Sequence, residues 1–212
     1  MNSDLEIIAG CIKGKRIAQE ALFNKYAPSM RYVCVRYASS SLEVDDIFQD
    51  AFIKVFQHIK AFRNESNLEA WIKRIFINTA INYYNKNKSR AEQKFFDSRI
   101  EEIESNNEDI DDFEQAAQAL SKEELISIIN QLPEGYRVVF NLYAIEEYKH
   151  KEIAEILQIS EGTSKSQLYK ARSMLKKFVK EAILQNNKVI NIQFENNKIQ
   201  VVQQHPKPKE MF

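Results

Sequence analysis

The stretch KHKEIAEILQISEGTSKSQLYKARSML, residues 149–175, has the pattern of two short helices meeting at a tight corner. Ile153, Ala154 and Leu157 put an apolar face on the first helix. Ile159 and Ser160 stand at the corner, where the serine hydroxyl can accept an N–H from the first turn of the next helix. There Leu168, Ala171, Leu175 and Phe178 fall at spacings of three and four, one buried stripe, while the other faces carry Lys165, Gln167, Tyr169, Lys170, Arg172 and Lys176. A helix buried on one side, with basic and amide groups on the other, fits the major groove of DNA. A solvated helical bundle would share much of this pattern. The small Ala154, where two helices must approach closely, favours the corner; Gln158, at a place where glycine is common, speaks against it.

The rest of the chain is helical in character. Four glycines and four prolines in 212 residues, with 44% hydrophobic content, favour an all-α protein with a packed core. Ser-x-x-Glu capping boxes begin at Ser3, Ser40, Ser66 and Ser121, each ahead of an apolar periodic run. Helices are expected at about residues 3–13, 16–38, 42–60, 67–90, 121–131, 134–146, 149–157 and 161–184. Leu22, Tyr26, Met30, Val33 and Tyr37 make one stripe, Ile47, Phe48, Ala51, Phe52, Val55 and Phe56 a second, and Trp71, Ile72, Ile75, Phe76, Thr79 and Tyr83 a third. Stripes of this width are core, and Trp71 reads as core rather than as a stacking platform.

The net charge of zero averages unlike segments. Nine basic residues face three acids between Lys54 and Lys94, whereas eleven acids face Arg99 and Lys122 between Asp97 and Glu124. Basic residues dominate again from Lys149 to Lys180, and local charge, not the total, governs contact with nucleic acid. Residues 95–120 are acidic and poor in large apolar groups, so they read as a flexible linker between two helical domains, residues 1–94 and 121–184. The second is a four-helix domain ending in the helix-turn-helix. Residues 185–212 read either as a short hairpin around Asn196-Asn197, from the alternation in 189–202, or as disordered.

Several chemistries are absent from the pattern. Cys11 and Cys34 have no pairing or metal-ligand spacing, which suits a reducing, cytoplasmic setting, and no signal peptide or membrane-spanning run is visible. His58, His150 and His205 are scattered, and there is no phosphate-cradling glycine loop, HExxH or CxxC, so neither an enzyme, a metal site nor a cofactor is expected.

Val44–Tyr83 (VDDIFQDAFIKVFQHIKAFRNESNLEAWIKRIFINTAINY) and Leu132–Leu175, in this order and separated by a variable linker, resemble the extracytoplasmic-function (ECF) group of bacterial RNA polymerase sigma factors of the sigma-70 family. The resemblance covers roughly residues 5–90 and 120–182. It implies that the first domain is sigma region 2 and the second sigma region 4, and that the chain binds core RNA polymerase and directs promoter-specific initiation. Asp46, Gln49, Asp50 and Gln57, on the face of Asp45–His58 opposite Phe52, would meet the polymerase core. The loop 61–66 matches the minus-ten reader, with Phe62, Arg63 and Asn78 as candidate base contacts and Lys73, Arg74, Lys86 and Lys88 at phosphates. Lys165, Ser166, Tyr169 and Lys170 would meet the minus-thirty-five duplex, with Lys151, Thr163 and Arg172 at its phosphates. Ser164 and Gln167 depart from the branched apolar residue and the arginine usual there, which bears on promoter sequence. The resemblance also implies an anti-sigma partner. Two readings stand beside it: a dimeric DNA-binding regulator using only residues 149–180, and a helical interaction protein that binds no DNA.

Overall fold

A computed structural model of the chain describes residues 3–63, 67–87 and 120–204, with side chains up to residue 186. The expected contact Lys88, the expected cap Ser66, residues 95–119 of the linker and residues 205–212 of the tail lie outside the described residues. Eight α-helices and no strand are found among those described: α1 (Asp4–Ile12), α2 (Arg16–Tyr37), α3 (Ser41–His58), α4 (Leu68–Asn87), α5 (Lys122–Asn130), α6 (Glu134–Phe140), α7 (His150–Leu157) and α8 (Glu161–Gln204). The all-α expectation is met.

Local chemistry sets the helix starts. Ser3 and Ser40 accept the backbone N–H of Glu6 and Glu43, and Ser121 forms a full capping box with Glu124. At α4 the Asn67 side-chain Oδ1 accepts from Glu69 N–H at 2.9 Å. The chain turns from α1 to α2 through Gly14 at φ +68°, a left-handed conformation that glycine adopts without strain.

The expected helix 134–146 differs in its second half. The α-helical ladder ends at Phe140 and widens into a π turn over Asn141–Ile145, where Glu146 N–H bonds to the Asn141 carbonyl. The wide turn carries Asn141 and Glu146 to the same neighbour, the end of α2. The tail differs too. Residues 185–204 extend α8 and form no hairpin. Asn196-Asn197 lacks the glycine that favours a tight hairpin turn, and no proline interrupts residues 161–204.

Helices α1–α4 enclose an aromatic core. Phe52 meets Phe23 at 4.8 Å, Phe48 at 5.0 Å and Phe76 at 5.0 Å, the last two edge-on. Helices α5–α8 enclose Ile128, Leu132, Val138, Leu142, Ile153, Leu157, Leu168, Ala171 and Leu175, all buried. The two units also share a seam. Arg137 donates to the Ala38 carbonyl at 3.2 Å and to the Tyr37 carbonyl, closing the end of α2, and Asn141 donates to the Arg36 carbonyl at 2.7 Å. On the other side Asn85 donates to the Ile156 carbonyl at 3.2 Å.

The corner between α7 and α8 places Gln158 at φ 55°, ψ 49°, the left-handed conformation. A side chain with a Cβ is strained there by about 1 kcal/mol. Gln158→Gly is therefore expected to raise stability by a few tenths to about 1 kcal/mol, the lower figure reflecting glycine's larger unfolded-state entropy. A thermal melt showing a lower midpoint would refute this.

Candidate nucleic-acid interface

The corner builds the surface expected to meet duplex DNA. Ser160 accepts the Thr163 N–H at 2.9 Å and its hydroxyl meets the Thr163 hydroxyl at 2.8 Å, so the cap read from sequence is present. This turns Thr163 inward. At 2% exposure it is a capping residue, not the phosphate contact expected of it. Gln167 is likewise buried, on the inner rather than the outer face of α8. It lies beside Gly135 of α6, where an added Cβ would stand 3.7 Å from its Nε2 and 3.5 Å from the Tyr84 hydroxyl. Ser166 is half-buried and donates to the Thr163 carbonyl at 3.0 Å. The groups left facing outward are Lys151 on α7 and Lys165, Tyr169 and Arg172 on α8, with Lys170 half-exposed.

Two residues outside the expected DNA contacts support this face. The Tyr143 ring stacks on His150 at 4.5 Å, and the Arg172 guanidinium lies 5.6 Å over Tyr143. His150 Nδ1 meets the Ser164 hydroxyl at 2.9 Å, so the fully buried Ser164 ties α7 to α8 by a polar contact where packing alone would serve. Burial, followed by the nearby Lys165 and Arg172 charges, holds the His150 pKa below its usual 6.5. The imidazole is therefore neutral at pH 7 and adds no charge to the cationic face.

In the first unit, Arg63, Arg74, Asn78 and Lys86 are exposed. Phe62 is 9% exposed and packs edge-on against Trp71 at 5.5 Å, so this ring must leave its pocket before it can meet a base. Trp71 is half-buried against the core, as its stripe position suggests. Lys73 is already paired with Glu146 of the second unit at 2.7 Å. On α3, Asp46, Gln49 and Gln57 project outward, while Asp50 accepts from the Tyr83 hydroxyl at 2.7 Å and pushes that phenol up to about 12. The result is a short polar strip opposite Phe52. No group of three or more His, Cys, Asp or Glu residues suited to a metal ion occurs among the described residues, and no described helix is long and apolar enough to cross a membrane.

Comparison with known proteins sorts these surfaces. Residues 22–90 match the family model of Sigma-70 region 2 and residues 122–175 that of Sigma-70 region 4, together more than half of the chain. The ECF RNA polymerase sigma-E factor of Haemophilus influenzae is 27% identical over 177 residues, 82% of this chain and 93% of its own length. That of Escherichia coli K12 is 29% identical over 178 residues, 92% of its length. RpoE of Bartonella quintana, solved with the anti-sigma factor NepR, aligns with 76% of this chain at 20% identity and a TM-score of 0.43. With both regions present in order on an all-α chain, the protein belongs to the sigma-70 family and is an RNA polymerase sigma factor of the ECF group.

Proposed function

We propose that this sigma factor docks on core polymerase through the α3 strip of Asp46, Gln49, Asp50 and Gln57, and reads the two promoter elements with its two units. Arg63, Asn78, Lys73 and Arg74, with Phe62 once released, serve the minus-ten strand. Lys165, Tyr169 and Lys170 read the minus-thirty-five duplex, with Ser166 at its edge and Lys151 and Arg172 on phosphates. The observation that carries this reading is that two units joined by a seam present two distinct surfaces on one chain: an acid-and-amide strip on α3 and an exposed cationic face on α8. Each reader need bind only weakly, because tethering both to one polymerase raises their effective concentration. The chain performs no covalent chemistry, works in the cytoplasm, and is held in check by an anti-sigma protein, as its family membership suggests.

Promoter-specific transcription with purified core polymerase and a DNA library tests the reading. Specific transcripts are expected with the wild type and should fall at least about tenfold with Asp46→Ala/Gln49→Ala, since losing two charged or amide contacts of an interface costs more than about 1.4 kcal/mol. A protein that binds duplex DNA yet neither associates with nor activates the core would be an ordinary regulator instead.

A further inference from the structure

Glu146 is the most tightly held acid on the seam between the two units. It comes from the π turn after α6, and its side chain is 5% exposed. One carboxylate oxygen lies 2.7 Å from Arg36 Nη2 and the other 2.7 Å from Lys73 Nζ. Two cations from different helices of the first unit thus converge on a planar anion supplied by the second. Phosphodiester oxygens make the same demand as the two carboxylate oxygens, and arginine and lysine answer both in the same way.

Resting on the sigma-factor reading, we propose that Arg36 and Lys73 form a backbone-phosphate site for promoter DNA, and that Glu146 occupies it as an intramolecular stand-in while the two units are closed. Three observations carry this. Arg36 is 8% exposed and its Nη1 has no hydrogen-bond partner, so the guanidinium has donor capacity beyond the Nη2 that Glu146 uses. Lys73 precedes Arg74 on α4, and Arg74 and Asn78 share one exposed face four residues apart, so the site lies at the edge of the surface proposed for the minus-ten strand. The seam that keeps Glu146 in place is also imperfect. The buried side-chain atoms without a partner among the described residues are Arg36 Nη1, Tyr37 Oη, Asn130 Oδ1, Arg137 Nε and Asn141 Oδ1, and all lie along it. Buried polar groups left unpaired are costly, so the closed arrangement gives up stability that a tightly satisfied interface would keep. Opening breaks both ion pairs, and a DNA phosphate entering the vacated position restores a charge-assisted contact to each cation. The closed state therefore withholds Lys73 from free DNA and releases it when the second unit moves to its own element.

Binding of the full-length chain, without polymerase, to a fluorescent fork oligonucleotide carrying a minus-ten strand tests this. Glu146→Gln keeps the side-chain shape and removes the anion. It should bind about tenfold more tightly than wild type, because the competent fraction rises. Glu146→Ala should show the same gain. Adding Arg36→Gln to Glu146→Gln should abolish the gain and make the log affinity against log salt slope shallower by about 0.7, the loss of one single-strand phosphate contact. The proposal is overturned if both Glu146 variants bind like wild type, or if the gain survives Arg36→Gln, which would mean that Glu146 merely repels DNA. Parallel transcription with core polymerase separates the two levels. A wild type that initiates specifically while the Glu146 variants change nothing sinks this proposal alone; a wild type that never engages the core sinks the sigma reading.

Discussion

Phe76→Ala should destabilise the first unit by about 3–5 kcal/mol, a large part of the 5–15 kcal/mol that holds a typical domain together. Phe76 is 0% exposed and sits on the inner face of α4. Its ring meets Phe52 at 5.0 Å and 84° and Phe48 at 5.9 Å and 68°, edge-to-face contacts that add to simple burial. Truncation leaves a cavity walled by rings from α3 that cannot collapse without dragging α3 off α4. Because α3 carries the strip proposed to meet polymerase and α4 the face proposed for the minus-ten strand, both surfaces lose their registration together. Urea unfolding followed by helix content would measure the loss. Phe76→Leu, which keeps most of the volume, should cost less than half as much. A cost for the alanine variant below about 1 kcal/mol would show that the aromatic cluster is plastic rather than a rigid scaffold.

That core was legible in the sequence because its signals are local. A stripe at three- and four-residue spacing names its own buried face, and a serine three residues before a glutamate names a helix start; Ser3, Ser40 and Ser121 all cap as their spacing says, and Ser160 caps from its place at the corner. The seam was not legible because its partners are distant. Arg36 and Glu146 are 110 residues apart, and Arg137 and Ala38 are 99. A signal was present all the same: Arg36 falls three residues after Val33 and beside Tyr37, a charged group on an apolar stripe, and such a residue needs a buried partner. Nothing in periodicity says which acid that is. The inward turn of Gln167 and Thr163 escaped for a different reason. On α8 the boundary between buried and exposed faces depends on where α6 lies, and Gln167 is buried beside Gly135 of that helix and the Tyr84 hydroxyl. The tail was misread because alternation over a few residues is weaker evidence than the absence of any turn-forming glycine in a helix that is already running.

Lys165→Ala/Tyr169→Ala should reduce initiation at promoters with an intact minus-thirty-five element by at least about thirtyfold, from about 1–3 kcal/mol for each lost base-edge contact. These two residues stand one helical turn apart on the exposed face of α8, behind the cap that Ser160 makes, so both point the same way. Tyr169 is 43% exposed, an aromatic ring with no structural need to face water, placed where a thymine methyl or a base edge would cover it. Arg172→Ala should behave otherwise. Its guanidinium lies over Tyr143, which stacks on a neutral His150, so it is held at the rim by a column from another helix rather than aimed freely. That geometry suits a phosphate: loss should be nearly uniform across sequences, with the salt slope falling by about one. Measuring transcription and holoenzyme binding across a minus-thirty-five library at several salt concentrations separates the two classes. If the double variant weakens every sequence equally, Lys165 and Tyr169 only grip the backbone, and the duplex is recognised through its shape. If it flattens the sequence preference while Arg172→Ala preserves it, the specificity of this sigma factor resides in the first two turns of α8. Ser160 and the Thr163 hydroxyl then matter because they fix where those turns begin.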